Sequence, residues 1–313
     1  MAKKSRKRQL EIKRNAKKGV RKNNRKKYLS EKQKSEIEKL INAPRAAHHK
    51  IEKLFYDEFH DLEFQRLGMA EALKKSLIKK TENQFKFSAW VRCISFKYAN
   101  QPLSSRGSIN SIGGRFNIGK DISEGNFTPF NALYLAEDQT TALMEKFGVA
   151  NEGDLSNAME ACFASHENTV SVHVSGVLHN VLDLDKPNVI KEFVNLISKV
   201  KKSHDIVVRR KAQGFKPGGV IKDVSDLLDS LYDPEWRYSP QVLDLPSNSQ
   251  IFGQIAYRAG IEGILYTSVK NNKRCLAVFP SKLGDKSFVE IEGEIPDTLK
   301  HRRLDLSSLD ELS

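Results

Sequence analysis

Residues 85–96 read FKFSAWVRCISF, and this stretch decides the fold. Before it, apolar residues recur at helical spacing; from Phe85 the period changes, and 87–96 have the bulk and apolar content of a strand. Further strands are predicted around Leu133 and over 170–174, 181–184, 263–268 and 275–279, the last two joined by a polar turn at 271–273. Short helices are predicted over 140–147, 188–200, 224–231 and 251–259. Strands and helices do not alternate regularly, which argues for an α+β domain over about 85–290 rather than a doubly wound sheet. Residues 201–249, mixed in Lys, Gly, Pro and Asp, read as a long polar connection around the 224–231 helix, and 291–313 read as a C-terminal tail.

On the N-terminal side, 31–82 read as a helical accessory region. Residues 31–42 place Ile37, Leu40 and Ile41 on one face, Pro44 breaks the pattern, and Ile51, Leu54, Phe55 and Phe59 resume it before a further helix over 62–80. Residues 1–30 differ in kind. They hold fourteen of the 52 Lys and Arg and one of the 39 acids, so the formal charge of +13 sits in this segment and the remainder carries 38 bases against 38 acids. With almost nothing apolar among the charges, the segment reads as a disordered basic tail, either merely solvated or a salt-sensitive contact for nucleic acid or a ribosome.

The chain of 313 residues, 39% hydrophobic, is long enough for one sizeable core and an accessory segment. It lacks the run of about 18 apolar residues of a membrane span and the apolar stretch of a secretory signal. Three widely spaced cysteines, Cys93, Cys162 and Cys275, suit reduced thiols in a cytoplasm. No Cys/His cluster has zinc spacing, so no metal is expected, and no HExxH, GxSxG or P-loop is present.

Several short motifs occur in a set order: WVR at 90–92, GGRFN at 113–117, LYLA at 133–136, ALME at 142–145, VLDL at 181–184, GIEGILYTS at 260–268 and LAVF at 276–279. This ordered set, spanning 87–283, resembles the RES family, named for an Arg, a Glu and a Ser along the domain. The resemblance implies a fold related to ADP-ribosyltransferases, a mixed sheet with flanking helices. It also implies consumption of NAD as a substrate, in the manner of bacterial growth-inhibiting toxins held by an antitoxin protein.

On that resemblance, the chemistry assigns roles. Nicotinamide leaves the ribose of NAD as a neutral molecule from a pyridinium, so no general acid must protonate it, unlike ordinary glycoside hydrolysis. One carboxylate facing an oxocarbenium-like ribose is enough, and Glu145 is the candidate. Ser268, near the end of a buried strand, would hydrogen-bond Glu145 or a ribose hydroxyl and fix its orientation. Arg92 and Arg115 would hold the pyrophosphate with their planar donor forks, and Gly113 and Gly114 would let backbone N–H groups approach the ligand. Tyr134 would stack on the nicotinamide with its hydroxyl on a ribose or amide, and Asn117 would join the same polar shell. Each residue also has a plainer reading alone: Glu145 as a surface acid, Ser268 as a strand end, Tyr134 as core, Arg115 as a turn cap. Trp90 and Trp236 read as packing. Water, phosphate or a protein side chain as acceptor would give a glycohydrolase, a phosphorylase or an ADP-ribosyltransferase. A nucleic-acid-associated binding protein acting through the basic tail is the reading from another class. The sequence leaves the oligomeric state open.

Overall fold

The computed structural model describes residues 45–122, 125–164, 168–186, 188–215, 220–294 and 298–313; the basic tail and the helix expected over 31–42 lie outside these. The stretch that decides the fold forms strand β1 (Phe85–Ser95), inside an eight-stranded sheet. Its other strands are β4 (Leu133–Ala136), β5 (Thr169–Leu178), β6 (Val181–Asp183), β7 (Gly263–Thr267), β8 (Arg274–Val278), β9 (Phe288–Ile291) and β10 (Arg303–Leu304). They run in the order β10-β9-β5-β1-β4-β8-β7-β6. Neighbours are antiparallel except β6 and β7, which are parallel, so the sheet is mixed as expected of an α+β domain. A separate hairpin, β2 (Gly113–Gly114) and β3 (Asn117–Ile118), stands over the sheet.

Alternation of side chains divides the sheet into two apolar faces. Val91, Ala136, Ile264, Tyr266, Cys275 and Ala277 look toward the helices. Trp90, Leu133, Leu135, Leu265, Leu276 and Val278 look the other way, onto Leu103, Val289 and Leu312. On β1 the alternation is broken by a bulge between Phe87 and Trp90, where Ala89 takes φ of 56°. The extra residue puts Phe87 and Trp90 on the same face.

The helices are α1 (Arg45–Gly68), α2 (Ala70–Ile78), α3 (Gln139–Phe147), α4 (Glu152–Ala164), α5 (Lys191–Ile197), α6 (His204–Ala212), α7 (Val224–Leu231), α8 (Tyr238–Leu243), α9 (Asn248–Arg258) and α10 (Leu309–Leu312). The accessory region packs on the main domain. Helix α2 buries Leu73 and Leu77 against α5 and α9, and α1 lies along α6 and α8. Among the described residues no helix is long and apolar enough to cross a membrane.

Two stretches are more ordered than their sequence suggests. Within 201–249, α6 and α8 join the expected α7. Helix α6 is held by charge: Arg209 meets Asp57 at 2.8 Å and the buried Arg210 meets Glu58 at 2.6 Å, while Lys202 also pairs with Glu58. Apolar contact of Ile206 and Phe215 with Ile51 and Leu54 completes the junction. Residues 298–313, read as a tail, instead supply an edge strand and a last helical turn. Leu304 and Leu312 are fully buried, and the N–H of Ser105 donates to the Leu312 carbonyl at 2.7 Å.

Candidate functional site

A cleft of about 220 Å³ opens on the helical face of the sheet. Its floor is Val91 and Cys93 of β1, Tyr134 and Ala136 of β4, Tyr266 of β7 and Cys275 of β8. Its walls are Ala142, Glu145 and Lys146 of α3, Gly114 and Arg115 of the hairpin, and Trp236 and Arg237 from the connection between α7 and α8.

Glu145 is fixed by both ends of its helix. Asp138 caps the start, accepting from the N–H and hydroxyl of Thr141 at 2.7 Å each, and Gly148 closes it with φ of 73°. The turn after β7 then grips α3: Asn271 donates to the Thr141 hydroxyl at 2.7 Å, and Lys270 donates to the Gly148 carbonyl at 2.6 Å. The same turn presents Ser268, 1% exposed, whose hydroxyl donates to Glu145 Oε1 at 2.5 Å. A hydroxyl on a carboxylate is a strong, short contact, and it sets the direction in which Glu145 faces the cleft. Partial burial lowers the pKa of Lys270; Glu145 opposes that shift, while Arg237 and Arg115 add to it.

Arg115 is 6% exposed and carried on the tight hairpin turn. It donates to the carbonyls of Leu231 and Asp233 at 2.9 Å each, and its guanidinium lies 5.8 Å from the Trp236 ring. The hairpin itself is sewn shut. Asn117, fully buried, donates to the carbonyls of Ser108 and Phe130 and accepts from the Gly114 N–H and the Tyr134 hydroxyl, all at 2.9–3.0 Å. The Tyr134 hydroxyl also accepts from the Phe116 N–H at 2.9 Å. Gln250 of α9 donates to the carbonyls of Ile112, Gly114 and Asn117. Gly114 is obligatory here, because a Cβ would stand 2.4 Å from the Tyr134 hydroxyl and 2.7 Å from Asn117 Oδ1.

The structure thus brings together Glu145, Ser268, Arg115, Gly114 and Tyr134. Four expected uses differ from what the structure shows, two of them at atoms of residues that do line the cleft. Asn117 does not line the cleft; its amide is consumed in the hairpin. Tyr134 offers its ring, while its hydroxyl is engaged twice inside the protein and burial holds its pKa far above the usual tyrosine value. The Gly114 N–H is likewise taken by Asn117. Arg92 stands apart altogether. It shares the face of Trp90, donates to the Ser104 carbonyl at 2.7 Å, and burial pulls its pKa down to about 10.

Two cleft residues were missed. Trp236, read as packing, walls the cleft at 4% exposure, and Arg237 beside it had no motif to mark it. The only sequence signal was an aromatic–cation pair in an otherwise polar connection. Tyr266, 3% exposed and edge-on to Phe116 at 4.9 Å, completes an aromatic lining with Tyr134 and Trp236.

Residues 200–300 match the family model described as the RES domain. No curated protein matches the chain. Among solved structures, the M. tuberculosis MbcT–MbcA toxin–antitoxin complex is similar at 14% identity and a TM-score of 0.37, over 77% of this chain and 97% of that one. The family match takes in Trp236, Arg237 and Ser268, and with them the last two of the ordered motifs, GIEGILYTS at 260–268 and LAVF at 276–279.

Proposed function

We propose that this protein cleaves the nicotinamide–ribose bond of NAD, and that the cleft between α3, the hairpin and the connection after α7 is where it does so. The observation that carries this reading is a single half-buried carboxylate, Glu145, oriented by Ser268, in a cleft whose other charged side chains, Arg115, Arg237 and Lys146, are cations. NAD has the matching layout: two phosphates, flat aromatic ends and a ribose that becomes cationic as its bond breaks.

In this reading the aromatic lining of Tyr134, Tyr266 and Trp236 receives the flat groups and Arg115 receives the diphosphate. Glu145 faces the anomeric carbon and stabilises positive charge as nicotinamide departs; a fixed charge in a partly dry cleft needs no reorganisation at that moment. Ser268 is a positioning residue, because its hydroxyl is spent on Glu145. Burial raises the pKa values of Cys93 and Cys275 and disfavours their thiolates as nucleophiles.

The acceptor divides three outcomes. Water gives hydrolysis, phosphate gives phosphorolysis and a protein side chain gives ADP-ribosylation. Kinship with RES toxins favours consumption of free NAD, and with it growth inhibition restrained by an antitoxin protein. The test is nicotinamide release from NAD by purified protein, with and without inorganic phosphate. Glu145→Gln keeps the shape and removes the charge, and is expected to slow release about 10²–10³-fold. Release untouched by that substitution would dismiss the site, and label retained on protein from adenine-labelled NAD would identify the protein-modifying outcome.

A further inference from the structure

The cleft holds a second guanidinium that the motifs did not mark. Arg237 lies 4.7 Å over the ring of Trp236, the same ring that Arg115 approaches at 5.8 Å. Both cations therefore flank one indole, a favourable surface for each, yet they repel one another. Partial burial of its guanidinium, then the proximity of Arg115, lowers the pKa of Arg237; Glu145 acts in the opposite sense. Among the described residues no carboxylate lies within ion-pair distance of Arg237 or Arg115. Arg115 is satisfied only by neutral carbonyls, both from the segment that leads into Trp236.

Two like charges brought together on one wall cost free energy until an anion joins them. A nucleoside brings no anion to this wall, whereas a diphosphate brings a charge for each guanidinium. We propose that Arg237, on its Trp236 platform, is a second diphosphate-binding residue, which together with Arg115 makes the cleft selective for diphosphate-bridged dinucleotides over nicotinamide nucleosides. This rests on the NAD reading of the cleft and names the part of the substrate that Arg237 selects. It also fills the place expected for Arg92, whose guanidinium lies on the opposite face of the sheet.

The test uses the full chain. ADP-ribose, which carries the diphosphate without the scissile bond, and adenosine, which lacks it, are titrated calorimetrically into wild-type protein, Arg237→Ala and Arg237→Lys. Arg237→Ala is expected to weaken ADP-ribose about ten- to hundredfold and leave adenosine unchanged, with Arg237→Lys in between. In turnover, the KM for NAD rises by the same factor while kcat holds. Equal weakening of both ligands, or no change for ADP-ribose, overturns the proposal; the partly exposed position and the lysine variant guard against a folding artefact. Failure of the underlying reading looks different. Wild-type protein that releases no nicotinamide, yet binds ADP-ribose through Arg237, refutes the cleavage and keeps the diphosphate site. Glu145-dependent release that ignores Arg237 refutes this inference alone, and wild-type protein that binds no ADP-ribose refutes both.

Discussion

At the scale of single residues, Tyr134 shows how a side chain expected to touch substrate can be committed to scaffold. Its hydroxyl closes the hairpin by serving Phe116 and Asn117 together. Tyr134→Phe keeps the ring in the cleft but strands the buried N–H of Phe116 and leaves the Asn117 amide oxygen with the Gly114 N–H alone. The loss expected is about 1–3 kcal/mol, read from the urea midpoint; an unmoved midpoint would show that the hairpin does not need the hydroxyl. Glu145, Ser268 and Arg115 were legible because each sits in a short motif whose order along the chain carries meaning. Arg92 was legible as a residue and misleading as a position. Without the bulge at Phe87–Trp90, Arg92 would lie opposite Phe87 and face the helices; one extra residue turns it away. No pattern in FKFSAWVRCISF announces that bulge, since Ala89 is an ordinary residue in a left-handed conformation.

At the scale of elements, the strands and the helices with their own apolar stripe or caps were readable, and α7 agrees to the residue. Helix α6 was not, because what stabilises it lies on α1, more than a hundred residues earlier. Glu58 accepts both Arg210 and Lys202, and the apolar cluster at the same junction takes in Val242 and Leu243 of α8, the helix that follows Trp236 and Arg237. Glu58→Ala would remove the carboxylate that Arg210 and Lys202 share. The expected cost is about 3–5 kcal/mol in thermal or chemical denaturation, accompanied by weaker NAD binding. Full stability in that variant would mean that α1 is only an appendage. The C-terminal strand escaped notice for a related reason: β10 is two residues long, and its pairing with β9 is visible only once the sheet exists.

At the scale of the whole molecule, charge and chemistry are separated along the chain. Residues 1–30 hold the entire formal excess of +13, and the cleft is built from later segments. Removing residues 1–30 is expected to leave kcat/KM for NAD within about twofold while abolishing salt-sensitive retention on a polyanion column. Loss of turnover on truncation would instead assign the tail a part in catalysis. The way the site is stitched has a bearing on how the chain is made. Glu145 waits for a hydroxyl 123 residues downstream, and Arg115 for a carbonyl 118 residues downstream. A nascent chain leaving the ribosome therefore carries its carboxylate and its first arginine well before either is aligned. Until β7 and its turn have emerged and folded back, the unfinished polypeptide has no assembled cleft, so under the proposed function an interrupted translation product consumes no NAD.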